Sequence, residues 1–360
     1  MNVTVVHMSC QSFCSKGLKM TETAAPSRPR EAQRPTIYDV AKLAGVSKSL
    51  VSLVLRGSPN VSAERRAAVE SAIAELNYRP SRAAAALAGS RTGTIGVIID
   101  DYRNLWFVDF LHGVQEVLAE RGIRVAVADR SFNAHVDTSP LEGFLAMRVD
   151  GIVVASEPSR EMSDGIGVPS VLAGNRLRRI PGADVVTSDD RHGGKLAADH
   201  LLGLGHRKIG HVTGGGGSAR ERAAGFVNAL HEAGIEPVVL GDAGTSEQDG
   251  FHFTKMLLQA NPETTAVFAA NDSMAMGAAA AIKDLGLRVP EDISLLGYDN
   301  SPLASSNLLR LTTVDALNLE VGRQAATALL ARFDGAEQEE ATSLVEPRLV
   351  VRGSTARVAS

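Results

Sequence analysis

From residue 93 onward the chain repeats one pattern, a short apolar run followed by a stretch with helical spacing, and this repeat constrains the fold more than any other feature. Thr94–Ile99, Arg124–Ala128, Gly151–Ala155, Ser170–Ala173, Lys208–Val212, Ala266–Ala269 and Ile293–Gly297 read as strands. They are short, and apolar in the manner of a parallel strand buried on both faces. Segments 110–121, 193–203, 220–233, 249–260 and 273–285 read as the intervening helices. A βα repeat predicts a doubly wound parallel α/β fold. Residues 93–357 are more than one such unit uses, so two lobes are expected. Aromatics make up 4% of a chain that is 44% hydrophobic and holds 34 Gly, which suits closely packed α/β layers.

Residues 36–80 follow another period. Thr36 is placed as an N-cap, Asp39 sits in capping-box position, and Gly45 ends a first helix whose apolar positions are Ile37, Val40, Ala41 and Ala44. Ser47 caps a second helix running from Lys48 to Arg56, with Leu50, Val51, Val54 and Leu55 as its apolar side. Ser62 caps a third, Ala63 to Leu76, with Val69, Ile73 and Leu76 inward. Two short helices across a Gly turn, buttressed by a third, form a helix-turn-helix plan. The outer side of the second helix carries Lys48, Ser49, Ser52 and Arg56, groups suited to phosphates and base edges. Charge supports this reading. The net charge is −4, yet residues 1–35 hold five basic and two acidic side chains, and 36–91 hold eight against four, so a basic front precedes an acidic body.

Thr36–Ser47, Val51–Ser52, Asn60–Ser62 and Leu76–Pro80 together resemble, without gaps, the head of the LacI/GalR family of bacterial regulators. The resemblance implies that the second helix enters the major groove. Ser47, Lys48, Ser49 and Ser52 then match base or phosphate positions, and Thr36, Tyr38, Ser62 and Tyr78 match phosphate-contacting ones. Leu50 stands for the usual Thr, Leu53 for Arg and Arg56 for Asn. Losing a cation at Leu53 removes a potential strong contact to guanine or phosphate, for which Arg56 is the available substitute, so DNA binding is expected while the operator sequence stays open.

Residues 81–92 read as a hinge. Ser81 is an N-cap, the interior is alanine-rich and Gly89 is a stop, but the segment is too short to hold as an isolated helix. By the resemblance it folds when clamped between DNA and its twin. Leu87 then wedges into the minor groove beside the small Ala84, and Ser81 joins the DNA-binding set.

The resemblance extends over the body, through Asp101, Asn104–Phe107, Val149–Gly151, Gly203–Arg207, Asn271–Asp272, Gly297–Asn300 and Leu311–Thr313. It implies the periplasmic-binding-protein type I plan, with a ligand cleft between two lobes. Chain crossings are expected near 174, 300 and 332, and the N-terminal lobe is expected to carry much of a homodimer contact. A polyhydroxylated ligand needs carboxylates, amides, an Arg fork and an aromatic face. The effector-binding candidates are Asp101, Trp106 and Phe107 from lobe one, and Arg176, Ser218, Arg222, Asn271 and Asp299 from lobe two. Trp106 and Phe107 equally suit a core, and Ala243 stands where relatives place an aromatic.

Enzymatic chemistry is not expected. The nine His are scattered, and Thr213–Ser218 is Gly-rich but lacks the Lys-Ser/Thr of a phosphate loop. No cofactor or metal is expected, since the two cysteines, Cys10 and Cys14, lie in a tail with no matching pair. With no long apolar run and no export signal in view, a cytoplasmic, non-membrane protein is expected. The expected architecture is a disordered extension (1–35), an all-α helix-turn-helix head (36–80), a hinge (81–92) and a two-lobed α/β effector-binding and dimerisation domain (93–357). The expected function is a homodimeric repressor on double-stranded operator DNA, set by a small-molecule effector, a sugar or sugar derivative. The alternatives are the solute-binding protein of a transporter, against which the basic head argues, and an α/β enzyme with an appended helical domain.

Overall fold

A computed structural model of the chain describes residues 35–55, 57–78, 91–131, 138–241, 244–334 and 339–358. Residues 1–34, Arg56, Ser81, Ala84, Leu87 and Ala243 lie outside the described residues. The chain divides into two compact units after Ser81.

The first unit holds α1 (Ile37–Leu43), α2 (Lys48–Leu55) and α3 (Ala63–Glu75). Thr36 donates through its backbone N–H and its hydroxyl to Asp39 Oδ2, each at 2.7 Å, and so starts α1. Gly45 takes φ +63°, a left-handed conformation open to Gly at little cost, and turns the chain toward α2. Ser47 Oγ accepts from Leu50 N at 3.2 Å. Ser62 sits at the N-cap of α3 without a side-chain cap bond. Val40, Val51, Val54, Val69, Ala72 and Tyr78 form the core of this unit. Leu55, expected on the apolar side of α2, is 37% exposed, because Val51 and Val54 already fill that face.

The second unit is built on two six-stranded sheets, β11-β5-β4-β3-β1-β2 and β12-β10-β9-β8-β6-β7. Lobe one contains β1 (Thr94–Ile99), α4 (Trp106–Glu120), β2 (Arg124–Asp129), α5 (Pro140–Ala146), β3 (Gly151–Ala155), β4 (Ser170–Ala173), β5 (Asp184–Ser188), α10 (Asn318–Phe333) and β11 (Thr342–Val345). Lobe two contains α6 (Asp190–Gly203), β6 (Ile209–Thr213), α7 (Gly217–Glu232), β7 (Val238–Gly241), α8 (Glu247–Ala260), β8 (Ala266–Ala269), α9 (Asp272–Asp284), β9 (Ser294–Tyr298), β10 (Thr312–Asp315) and β12 (Arg348–Val350). All pairings are parallel except β10–β12. Apolar clusters pack on both faces of each sheet, with Phe110 and Ile152 central to lobe one and Phe226, Phe268 and Leu295 to lobe two.

The lobe crossings correct the sequence expectation. They lie at 188–190, 316–317 and 346–347, not near 174, 300 and 332. After β4 the chain stays in lobe one and adds β5, which escaped notice because Asp184, Thr187 and Ser188 interrupt its apolar run. Asp184 is buried there because Arg332 of α10 donates to both its oxygens, at 2.6 and 2.7 Å. One consequence is that Arg176, assigned above to lobe two, belongs to lobe one.

Helix pairs meet at glycines. A Cβ on Gly225 of α7 would collide with the carbonyl of Arg191 on α6, and one on Gly194 of α6 with that of Arg222 on α7. Backbone cannot yield as a side-chain tip does. Gly225→Ala is therefore expected to cost about 1–3 kcal/mol by overpacking, seen as a lower urea midpoint at unchanged slope. An unchanged midpoint would contradict this account of the α6–α7 contact.

Candidate functional site

In the first unit, Thr36, Tyr38, Ser47, Lys48, Ser49 and Ser62 are exposed, and Ser52 is half-buried. Tyr38 of α1 and Lys48 at the start of α2 are coupled. Lys48 Nζ donates to the Tyr38 hydroxyl at 3.3 Å and lies 5.0 Å from its ring centroid. A cation, a phenol and two serines, Ser47 and Ser49, therefore share the surface at the turn between α1 and α2. Tyr78 is placed differently: it is 8% exposed, and its ring packs in the core of the unit. Leu53 is 36% exposed, an apolar group on the outer side of α2.

In the second unit the strand ends and the first crossover bring a polar cluster to the lobe boundary. Its centre is Arg222, carried into the interior by α7 and 8% exposed. Arg222 Nε donates to Asp190 Oδ1 at 2.7 Å and Nη1 to the Ala270 carbonyl at 2.7 Å. The guanidinium lies 3.8 Å from the Tyr298 ring centroid. Its Nη2 is 3.7 Å from Asp299 Oδ1, too long for a hydrogen bond, and that oxygen has no hydrogen-bond partner among the described residues. Asp299 follows β9 at φ +102°, a strained conformation for a non-Gly residue.

The cluster joins the lobes. Asn175, which follows β4, donates from Nδ2 to Asp190 Oδ2 at 2.7 Å, and its carbonyl accepts from Ser218 Oγ at 3.3 Å. Glu157, which follows β3, accepts from Gly217 N at 3.2 Å. Arg176 is spent largely on lobe one: Nε donates to the Ala173 carbonyl and Nη2 to that of Ala155, at 2.9 and 2.8 Å. Its Nη1 is 3.5 Å from Asp100 Oδ2.

The remaining candidates divide. Asn271 caps α9, accepting from Met274 N at 2.7 Å and donating to the Thr245 carbonyl at 3.2 Å, so both ends of its amide are engaged. Phe107 is 3% exposed and part of the lobe-one core. Trp106 stacks on Phe110 at 4.7 Å, with the Arg176 guanidinium 5.9 Å from its ring. Asp101 turns outward to Arg103 at 2.6 Å, and it is the adjacent Asp100 that approaches Arg176. Sequence reasoning missed Asp100, Asn175, Asp190 and Tyr298. The pair Asp189–Asp190 was the available hint, since Asp189 caps α6 through His192 N and leaves Asp190 facing the opposite way.

Burial pushes the Asp299 carboxyl up to about 8, opposed by Arg222 and reinforced by Asp272, Asp190 and Asp315. Burial also raises Asp272 to about 6, against hydrogen bonds from Thr313 and Ser301, and lowers His211 to about 4. A carboxyl whose folded value lies above its ordinary 3.8 keeps its proton longer in the native state, so its contribution is present at low pH and fades as pH rises from about 4 to about 8. Relative to Asp299→Asn, the wild type is therefore expected to lose stability between pH 5 and 8. Parallel pH profiles of the two urea midpoints would contradict this.

Among the described residues no helix is long and apolar enough to cross a membrane, and no group of three His, Cys, Asp or Glu could hold a metal. The family model described as bacterial regulatory proteins, lacI family, matches residues 36–81, and that of a periplasmic binding protein-like domain matches 198–355. The HTH-type transcriptional repressor PurR of Pasteurella multocida (strain Pm70) is 35% identical over 327 residues, covering 89% of this chain and 98% of the relative. The crystal structure of the lac repressor dimer bound to operator and the anti-inducer ONPF superposes with TM-score 0.78 at 30% identity, covering 90% of this chain and 100% of that one. The transcriptional regulator CelR–cellobiose complex superposes with TM-score 0.67 at 33% identity, covering 89% and 100%.

Proposed function

The chain belongs to the lacI family of bacterial regulatory proteins, and we propose that it is a homodimeric repressor whose operator affinity changes when a sugar or sugar derivative binds between its two lobes. The observation that carries this reading is the Asp190–Arg222–Asp299 cluster at the lobe boundary. It sets a fixed fork of donors beside two buried carboxyl groups, those of Asp190 and Asp299, under an aromatic ring. Ring hydroxyls both donate and accept, so they satisfy such a mixed set where a purely apolar ligand would leave it unpaired. The cellobiose bound to CelR makes a carbohydrate the first class to try.

The head supplies the other half. Lys48, Tyr38, Ser47 and Ser49 present phosphate- and base-directed groups at the start of α2, as a recognition helix does. Coupling of typically about 1–3 kcal/mol between lobe boundary and head corresponds to roughly a 5–150-fold change in DNA affinity. The test is a thermal-shift screen of sugars and nucleobases on the full chain, followed by operator binding with each hit. The reading requires at least one hit that raises the melting temperature and changes operator affinity. Hits that stabilise the protein yet never alter DNA binding would overturn it.

A further inference from the structure

A cavity of about 390 Å³ opens beside the first crossover, lined by Arg176 and Arg179 of lobe one and Arg191 and Arg220 of lobe two. It is distinct from the cluster around Arg222. Asn175, which bonds to Ser218 and Asp190, lines it, whereas Asp190 and Arg222 do not. The charges in it do not balance. Arg191 is matched by Glu221 at 3.0 Å, and Asp189 caps α6. Arg179 and Arg220 are exposed and have no side-chain partner among the described residues. The Gly217 amide at the start of α7 is already taken by Glu157, which also accepts from Leu177 N.

Two unpaired guanidiniums, one from each lobe, line a space large enough for a small metabolite. A guanidinium fork matches phosphoryl oxygens two at a time, and a phosphoryl dianion neutralises both cations where a single carboxylate neutralises one. At the rim Leu177 is 58% and Leu344 61% exposed, offering apolar contact to an organic portion. We propose that this cavity binds a small molecule bearing a phosphoryl group, held by Arg179 of one lobe and Arg220 of the other. A ligand so held bridges the lobes and favours the lobe arrangement seen here.

Calorimetry on the full chain without DNA tests this, which keeps it separate from the repressor reading. The probes are phenyl phosphate and inorganic phosphate, with chloride at matched ionic strength as reference. The expected result is saturable binding of phenyl phosphate, weakened at least tenfold in Arg179→Ala/Arg220→Ala and retained in Asp299→Asn. Both arginines are exposed and unpaired, so the double variant should melt as the wild type does without ligand. Arg179→Lys/Arg220→Lys, which keeps the charge, should bind more tightly than the Ala pair. Inorganic phosphate binding as tightly identifies the free ion as the ligand; much weaker binding identifies a phosphorylated metabolite. No saturation beyond chloride, or binding that survives the double Ala variant, overturns the proposal. So does loss in Asp299→Asn alone, which would put the anion in the Arg222 cluster.

Discussion

Arg222→Met is expected to lower the free energy of unfolding by about 3–5 kcal/mol, the usual cost of removing one partner from a buried ion pair, and to abolish the effector response. The side chain it removes is 8% exposed and is the main cationic partner of Asp190, itself 2% exposed. Met keeps much of the volume, so the loss reports charge and hydrogen bonding more than a cavity. The Ala270 carbonyl loses its donor as well, and the Tyr298 ring its cation. Asp190 is then left buried with Asn175 as its remaining side-chain partner. The measurement is a urea melt at constant slope beside a ligand titration. A loss below about 1 kcal/mol would mean that Asp190 finds water or another donor, and the cluster would not be the structural joint described above. Asp299→Asn removes no cation, so it separates the two effects: it should keep the fold and change the ligand response.

Leu87→Ala is expected to weaken specific operator binding by roughly 10- to 100-fold and nonspecific binding hardly at all. Burying a leucine side chain contributes about 1.5–3 kcal/mol, and each 1.4 kcal/mol is a factor of ten. The residue lies outside the described residues, so the expectation rests on family membership and on the alanine-rich sequence around it. A wedge between base steps acts only where the duplex is kinked, at a specific site. Phosphate contacts from the head act everywhere and produce a salt dependence common to all sequences. Titrations of operator and random duplexes at one salt concentration separate these terms. Equal losses on both duplexes would show that Leu87 merely supports the hinge.

The regular parts of this chain announce themselves in the sequence because one physical rule decides them. Strands such as Gly151–Ala155 are uniformly apolar since both faces are covered. The three head helices follow from caps and spacing at Thr36, Ser47 and Ser62. What escaped notice was decided by partners far along the chain. β5 is readable only once Arg332 is known to neutralise Asp184 across 148 residues. β11 and β12 are edge strands, short and partly exposed, with the alternating or polar character that an edge permits. Missing β5, β10 and β11 displaced the three lobe crossings from near 174, 300 and 332.

The site divides along similar lines. Arg222, Ser218 and Asp299 lie at the lobe boundary. Local choices settled the rest. Asp101 has Arg103 two residues away and turns to it, while Asn271 completes the cap of α9. Asp190 was hidden because its role depends on Asp189 taking the cap, a choice between neighbours that composition does not reveal.

The central claim is that occupancy at the lobe boundary sets the affinity of the head for one class of DNA site. The most direct measurement is selection of genomic fragments by the purified full chain, repeated with each stabilising ligand at fixed salt. The account predicts a few fragments with approximate twofold symmetry, bound about 10³-fold or more above random DNA, and an affinity that one ligand shifts by about 5–150-fold. Uniform binding to all fragments, unchanged by every ligand that stabilises the protein, would contradict it.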